Sequence, residues 1–257
     1  MENQYIYLDI GDTVLHLRQS PGEIYLDLIN SFGMDISGIE SIKANEAFYK
    51  AWKYLDNKFQ KPDYRDRYSF HPKGSIGFWN DLIAFFLNSL HLPNHDSLRK
   101  YIFESFETGE HWEIEPSFFE LVHLAQENEI KMGVLSNWDN RLRNLLKKKE
   151  IYDYFDDFII SGEIGFEKPS SEIFMAAEKR IGRSGDSILY AGDKLSLDWI
   201  PASERGWKAF LFLSEWKNQP AQNNFTKAEN LPKGCDIINK LDTILGKHMN
   251  SIDAKAP

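Results

Sequence analysis

Asp9 stands at the end of an apolar run, YIYL at residues 5 to 8, and is followed by a turn through Gly11, Asp12 and Thr13. A carboxylate at the mouth of a buried strand is costly unless a positive group meets it. Other polar residues occupy the same place relative to apolar runs: Ser136 and Asn137 after KMGVL, Lys168 in GFEKPSSEIF, and Asp193 and Asp198 in AGDKLSLD. In open α/β sheets, ligands bind beyond the carboxyl ends of the strands, so these residues are expected to converge. Three carboxylates in one pocket raise one another's pKa unless a cation intervenes. A hard divalent cation with oxygen ligands, Mg²⁺, resolves that conflict. Lys168 adds a point charge suited to a phosphate oxygen, and Ser136 with the backbone donor of Asn137 can bond the same group. The set therefore supports attack by Asp9 on phosphorus, giving an aspartyl-phosphate that water hydrolyses. Metal and lysine would meet the charge of the transition state.

Taken singly, each residue has a plainer reading. Asp9 could be a turn former, Thr13 a helix cap, Lys168 a solvated lysine and Asp198 a first-turn charge on a helix. Their shared position after apolar segments is what favours a site.

The elements that must position them follow an α/β pattern of apolar strands alternating with helix-length segments. Strands are predicted at 4–9, 131–136, 156–160, 187–191 and 207–213, apolar almost throughout, as central parallel strands are. Helices fit at 116–128, 139–149, 170–181 and 196–206. More than a hundred residues separate the first two strands, and that interval reads as helices at about 20–33, 37–60, 75–91 and 94–108. Its aromatics, Phe48, Tyr49, Trp52, Phe78, Trp79, Phe85 and Phe86, lie at helical spacings and read as core. The loop 63–75 is the least regular part, and its Arg65, Arg67, His71 and Lys73 are read as solvated, with contact to an anionic substrate as the alternative. A short helix is expected at 236–246 and mobility over the last ten residues.

The chain has 257 residues, 42% of them hydrophobic and 14% aromatic, enough for a core domain with an insertion. Its formal net charge of -9 argues against general nucleic-acid binding, which needs clustered Lys and Arg. The basic run Arg141, Arg143, Lys147, Lys148 and Lys149 fits the C-terminal end of a helix. No apolar run approaches the roughly 20 residues of a membrane helix, and the first residues do not read as a signal peptide. One cysteine, Cys235, excludes an internal disulfide and fits a cytoplasmic protein. The histidines show no zinc spacing.

Asp9 with Thr13, Ser136 within VLSN, Lys168 within EKPSSEIF, and Asp193 with Asp198 within GDKLSLD occur in the order and at the intervals of the four motifs of the haloacid dehalogenase superfamily. The chain resembles that family over nearly its whole length, and LDIGDTVLHLR with SNWDNRL is similar to a branch related to both phosphatases and dehalogenases. The resemblance implies a Rossmann-like doubly wound parallel core at 1–15 and 112–257, with a helical type I cap at 16–111. It implies Asp9 as nucleophile and metal ligand, the Gly11 carbonyl and Asp193 as further ligands, and Asp198 as a ligand or the holder of a metal-bound water. Ser136 and Lys168 would hold the transferring phosphoryl group, with Thr13 and Asn137 beside it. The expected partner is a small phosphorylated metabolite, and the expected assembly a monomer or homodimer.

Gly11 departs from the pattern. Phosphatases of the family carry their general acid and base there, and glycine keeps the backbone carbonyl but not a proton donor. Asp12 could substitute only if the turn swings its carboxylate round. The expected function is therefore a Mg²⁺-dependent phosphatase of low activity that is sensitive to its leaving group. Alternatives are a 2-haloacid dehalogenase, a phosphonate-cleaving enzyme using Lys43, Lys50 or Lys53, and a non-catalytic binding protein.

Overall fold

The computed structural model describes residues 4–214 and 231–247. β1 (Tyr5–Leu8) is buried at every position, as a strand covered on both faces must be. A short strand β2 (Leu15–Leu17) follows, then five helices: α1 (Pro21–Ser31), α2 (Ser41–Phe59), α3 (Arg67–Phe70), α4 (Gly74–Ser89) and α5 (Asp96–Ser105). The chain returns on β3 (Trp112–Ile114), which pairs antiparallel with β2. Next come α6 (Phe118–Glu127), β4 (Lys131–Ser136), α7 (Leu142–Lys148), β5 (Asp157–Ile160), α8 (Ser161–Ile164) and α9 (Ser171–Ile181). β6 (Ile188–Gly192), α10 (Ile200–Glu204), β7 (Lys208–Phe212) and β8 (Asp236–Ile238) complete the described elements.

The main sheet runs in the order β5-β4-β1-β6-β7-β8 with every pairing parallel. From β1 the chain moves outward to β4 and β5, then crosses to β6 on the other side. The winding reverses at β1, and a crevice opens beyond the strand ends at such a point. Because Leu8 is in register with both Val134 and Ala191, the residues just after β1, β4 and β6 are forced together. Period-two alternation sends Ile6, Leu8 and Val134 to a core with Phe118 and Leu145. Tyr7, Leu135 and Tyr190 go to the other face, against Phe174 and Trp207. The five inserted helices bury a cluster of their own around Tyr25, Phe48, Phe78 and Phe86.

A strap ties the insertion to the sheet. The Asp66 amide donates to the Gly165 carbonyl at 3.0 Å and the Glu167 amide to the Tyr64 carbonyl at 2.8 Å. Arg67 grips Glu167 with two bonds of 2.8 and 3.0 Å and also pairs with Asp56. The Ser161 hydroxyl donates to Asp66 (2.9 Å) and accepts from the Trp138 amide (3.1 Å).

The structure corrects several expectations. Residues 236–238, read as the start of a helix, form an edge strand on β7, and helix begins only at 243. In the loop 63–75, Arg67 is neither solvated nor aimed at a ligand and His71 is buried against Asp81, whereas Arg65, paired with Asp63, and Lys73 are exposed as read. Thr13 caps no helix, since β2 follows it; its hydroxyl is buried with no hydrogen-bond partner among the described residues. The mobility expected of 248–257 falls outside the described residues. Among the described residues no helix is long and apolar enough to cross a membrane.

Candidate functional site

The crevice beyond β1 gathers the expected residues. Asp9 is fixed by its own amide, which donates to the Ala191 carbonyl at 2.9 Å. The Ser136 hydroxyl donates to Asp9 Oδ1 at 2.7 Å, and Lys168 Nζ lies 3.0 Å from the same oxygen. Lys168 also meets Asp198 Oδ1 at 2.5 Å. Burial alone would lower the Lys168 pKa, but Asp198 and Asp9 outweigh it and hold the ammonium charged. Burial lifts Asp9 above the usual carboxylate range, with Lys168 and Ser136 opposing and Asp198 adding to the rise.

Two partners of this set were not found from the sequence. The Tyr190 hydroxyl accepts from Lys168 Nζ (3.0 Å) and donates to Asp198 Oδ1 (2.7 Å). The signal lay in SILYA: a phenol within a fully buried strand needs a polar partner. Lys194 is the second. Its amide donates to Asp198 Oδ2 at 2.8 Å, while its ammonium pairs with Asp193 and lies 3.8 Å from Asp12. Both oxygens of Asp198 are thus engaged by protein groups, which makes Asp198 the counter-charge that positions Lys168. Gly192 permits this, because a β-carbon there would lie 2.4 Å from Asp198 Cγ. A π-helical turn, Leu195–Trp199, then swings Asp198 inward, a distortion often met at functional sites.

Asn137 does not aim its side chain at the crevice. Its amide oxygen accepts from the Lys168 amide (2.6 Å) and its nitrogen donates to the Lys168 carbonyl (3.0 Å), clamping the backbone that carries the lysine. Asp12 is in the left-handed region at φ 57°, and its carboxylate faces Lys194 Nζ at 3.8 Å. Of the basic run after β4, Arg141 pairs with Asp139 and Arg143 with Glu163, and Lys149 donates to the Gly109 and Trp112 carbonyls, while Lys147 and Lys148 are exposed in the last turn of α7. Lys43, Lys50 and Lys53 are all exposed on α2.

Oxygens of Asp9, Asp193 and Asp198 lie within 4.8 Å of one another. A hard divalent cation fits that donor set. Asp193 is pushed up to about 8, chiefly by burial; Lys194 pulls against this, and Asp12, Asp198 and Asp9 push further. A cation would relieve that strain on the charged form. The bridge joining Gly11 to Leu15 uses the Ile10 and Leu15 carbonyls and the Asp12 and Leu15 amides, so the Gly11 carbonyl takes no part in it.

Beside this cluster, between the insertion and the strand ends, lies an aromatic cavity of about 220 Å³ that Asn137 and Trp138 help to line. Trp52 and Trp79, read from the sequence as core, line it as well as packing on the helical cluster.

The haloacid dehalogenase-like hydrolase pattern matches residues 6–203. This chain belongs to that family of hydrolases. It is 25% identical over 211 residues to haloacid dehalogenase-like hydrolase domain-containing protein 3 of Danio rerio, covering 81% of this chain and 84% of that protein. It is 28% identical over 218 residues to the rhythmically expressed gene 2 protein of Drosophila melanogaster, covering 80% and 81%. A shorter match, 33% identical over 91 residues, joins 33% of this chain to 38% of a glyceraldehyde 3-phosphate phosphatase of Methanothermobacter thermautotrophicus. Among solved structures, the Bacillus subtilis protein YfnB, bound to magnesium, superposes with a TM-score of 0.70 at 18% identity, covering 96% of this chain and 99% of that one. An L-2-haloacid dehalogenase superposes at 0.68 with 13% identity, covering 95% and 98%. The haloacid dehalogenase fold assignment thus agrees with the four motifs read from the sequence.

Proposed function

We propose that this hydrolase cleaves phosphate monoesters of a small metabolite in the cytoplasm, with Asp9 as nucleophile and Mg²⁺ as cofactor. The observation that carries the reading is that Asp9 meets both Ser136 and Lys168 through Oδ1 and also lies within 4.8 Å of the Asp193 and Asp198 carboxylates. Asp9, Asp193 and the Gly11 carbonyl would hold the cation, which supplies positive charge against the phosphoryl oxygens. Lys168, kept charged by Asp198, neutralises a second phosphoryl oxygen, and Ser136 donates to a third. One Asp9 oxygen bonds to phosphorus as the ester P–O bond breaks; water then attacks phosphorus and frees the carboxylate. The helices at 16–111 would act as the cap over this chemistry. The magnesium in YfnB and the phosphatase named among the relatives support the reading.

Gly11 supplies no proton to the departing oxygen. A positioned acid is worth roughly 10²- to 10⁴-fold, so alkyl esters should react slowly and esters of acidic alcohols readily. Gly11 also favours a second reading, attack by Asp9 on carbon with halide departure, which needs no acid. Asp193 weighs against it, since attack by Asp9 with halide departure gives that third carboxylate no task.

A panel of phosphate esters with graded leaving groups, assayed with Mg²⁺ and with EDTA, tests the first reading. EDTA-sensitive phosphate release that rises with leaving-group acidity is expected. Chloride release from 2-haloacids that is indifferent to EDTA would replace it with the second.

A further inference from the structure

The cavity of about 220 Å³ has walls from both the insertion and the core: Trp52, Tyr68, Trp79 and Phe103 from the helices, Trp112 from β3 and Trp138 from the loop after β4. Within each wall the rings pack tilted on one another, Trp52 and Trp79 with centroids 5.8 Å apart on the helical side and Trp112 and Trp138 5.1 Å apart on the core side. Aromatic pairs prefer such offset and tilted contacts. An apolar cavity of about 150 Å³ lined by aliphatic and aromatic side chains stays dry and binds benzene, so this one has room for a larger ring system.

Its charged and amide groups are already engaged. Arg141 sits over Phe103, 4.0 Å from the ring centroid, with two bonds to Asp139 and one to the Phe103 carbonyl. Asn137 has both amide ends on the Lys168 backbone. The remaining polar side-chain atoms on the wall are hydroxyls and indole N–H groups carried on rings. A polyhydroxylated group entering here would lose water without finding a matching set of partners.

The cavity also adjoins the chemistry. Asn137 follows Ser136 directly, and Trp138 is the nearest group to Gly11 in the direction of its missing side chain, at 3.4 Å. Where an acid would point into the site, the wall presents an indole.

We propose that this cavity takes the uncharged aromatic body of the substrate, so that the ester cleaved at Asp9 is an aryl phosphate whose phenol lies among the rings of the insertion. This rests on the phosphatase reading, and two independent features select the same class: a phenolate departs without an acid, and the space that receives it is aromatic. The probes are 2-naphthyl phosphate, its product 2-naphthol, and acetyl phosphate, which has a good leaving group but no ring. Leu17→Trp, at the cavity wall, fills the space without touching Asp9, Ser136 or Lys168. The wild type should turn over 2-naphthyl phosphate with a kcat/KM at least tenfold above that for acetyl phosphate, and Leu17→Trp should abolish that margin while leaving acetyl phosphate unchanged. 2-Naphthol should quench tryptophan fluorescence, and Leu17→Trp should weaken its binding tenfold. Equal kcat/KM values for the two esters, or equal loss of both in Leu17→Trp, would overturn the proposal, as would absence of naphthol binding. No turnover of either ester, with naphthol bound and displaced by the variant, fails the phosphatase reading alone and upholds the aromatic site.

Discussion

Trp138 closes over Gly11: its Cζ3 lies 3.4 Å from where a β-carbon on that residue would sit. A methyl group fits there, but a carboxylate must pass the indole. Gly11→Asp alone should therefore recover only a small part of the roughly 10²- to 10⁴-fold that a positioned acid contributes. Gly11→Asp with Trp138→Leu should recover more, seen as a rise in kcat/KM for glycerol 3-phosphate relative to p-nitrophenyl phosphate. If the single variant already gives the full gain, Trp138 is no obstacle. If neither gains, in folded protein that binds Mg²⁺, the chain is a binding protein and not an impaired catalyst.

The Lys168, Tyr190 and Asp198 triangle is sealed from solvent, with Asp198 at 0% and Lys168 at 2% exposure. Removing one member of a buried ion pair costs about 3–5 kcal/mol, because the other charge is stranded. Asp198→Ala leaves Lys168 with Asp9 as its one carboxylate partner and should lose stability at the lower end of that range, about 3 kcal/mol, in urea unfolding. Tyr190→Phe, which leaves the charges paired, should lose about 1–2 kcal/mol. The same small loss from both would mean that water enters the triangle.

Lys194 presses its ammonium on Asp193, where the cation is expected. Half-exposed ion pairs are worth up to about 1 kcal/mol, so Lys194→Met should lower the Mg²⁺ concentration for half-maximal thermal stabilisation by about fivefold. A higher midpoint in the variant would show that Lys194 supports the ion instead of competing with it.

Glu115 follows β3 and ties it to β2, accepting from the Ser214 and Ser117 hydroxyls and bonding His16 Nε2 at 3.0 Å. Burial would raise its pKa, but those bonds prevail and hold it below the usual glutamate value. A carboxylate lowered in the folded state stabilises the protein above its unfolded pKa, and the benefit fades as pH falls through the folded one. Glu115→Gln should accordingly be less stable than wild type at neutral pH, with the two melting curves converging below about pH 4. A constant gap across that range would assign the effect to packing alone.

Much of this was legible in advance because apolar runs locate strands, and strand ends in a doubly wound sheet locate ligands. β4 falls at 131–136 as read, and Asp9, Ser136, Lys168, Asp193 and Asp198 converge as their positions require. What escaped depends on contacts between distant segments. Tyr190 reads as one more strand residue until Lys168 is seen beneath it, and Asn137 as a ligand donor until its two bonds to the Lys168 backbone are known. The three residues of β8 carry too little periodicity to separate strand from helix, and only their pairing with β7 decides it. Trp52 and Trp79 have the same helical spacing whether a cavity lies beside them or not.

The strap between 64–67 and 165–167 ends one residue short of Lys168. The helices cannot swing away from the sheet without pulling on the peptide that presents that lysine. A mutation at Arg67 would in that sense reach Asp9 through the main chain, by way of Glu167 and the neighbouring lysine, without contacting it.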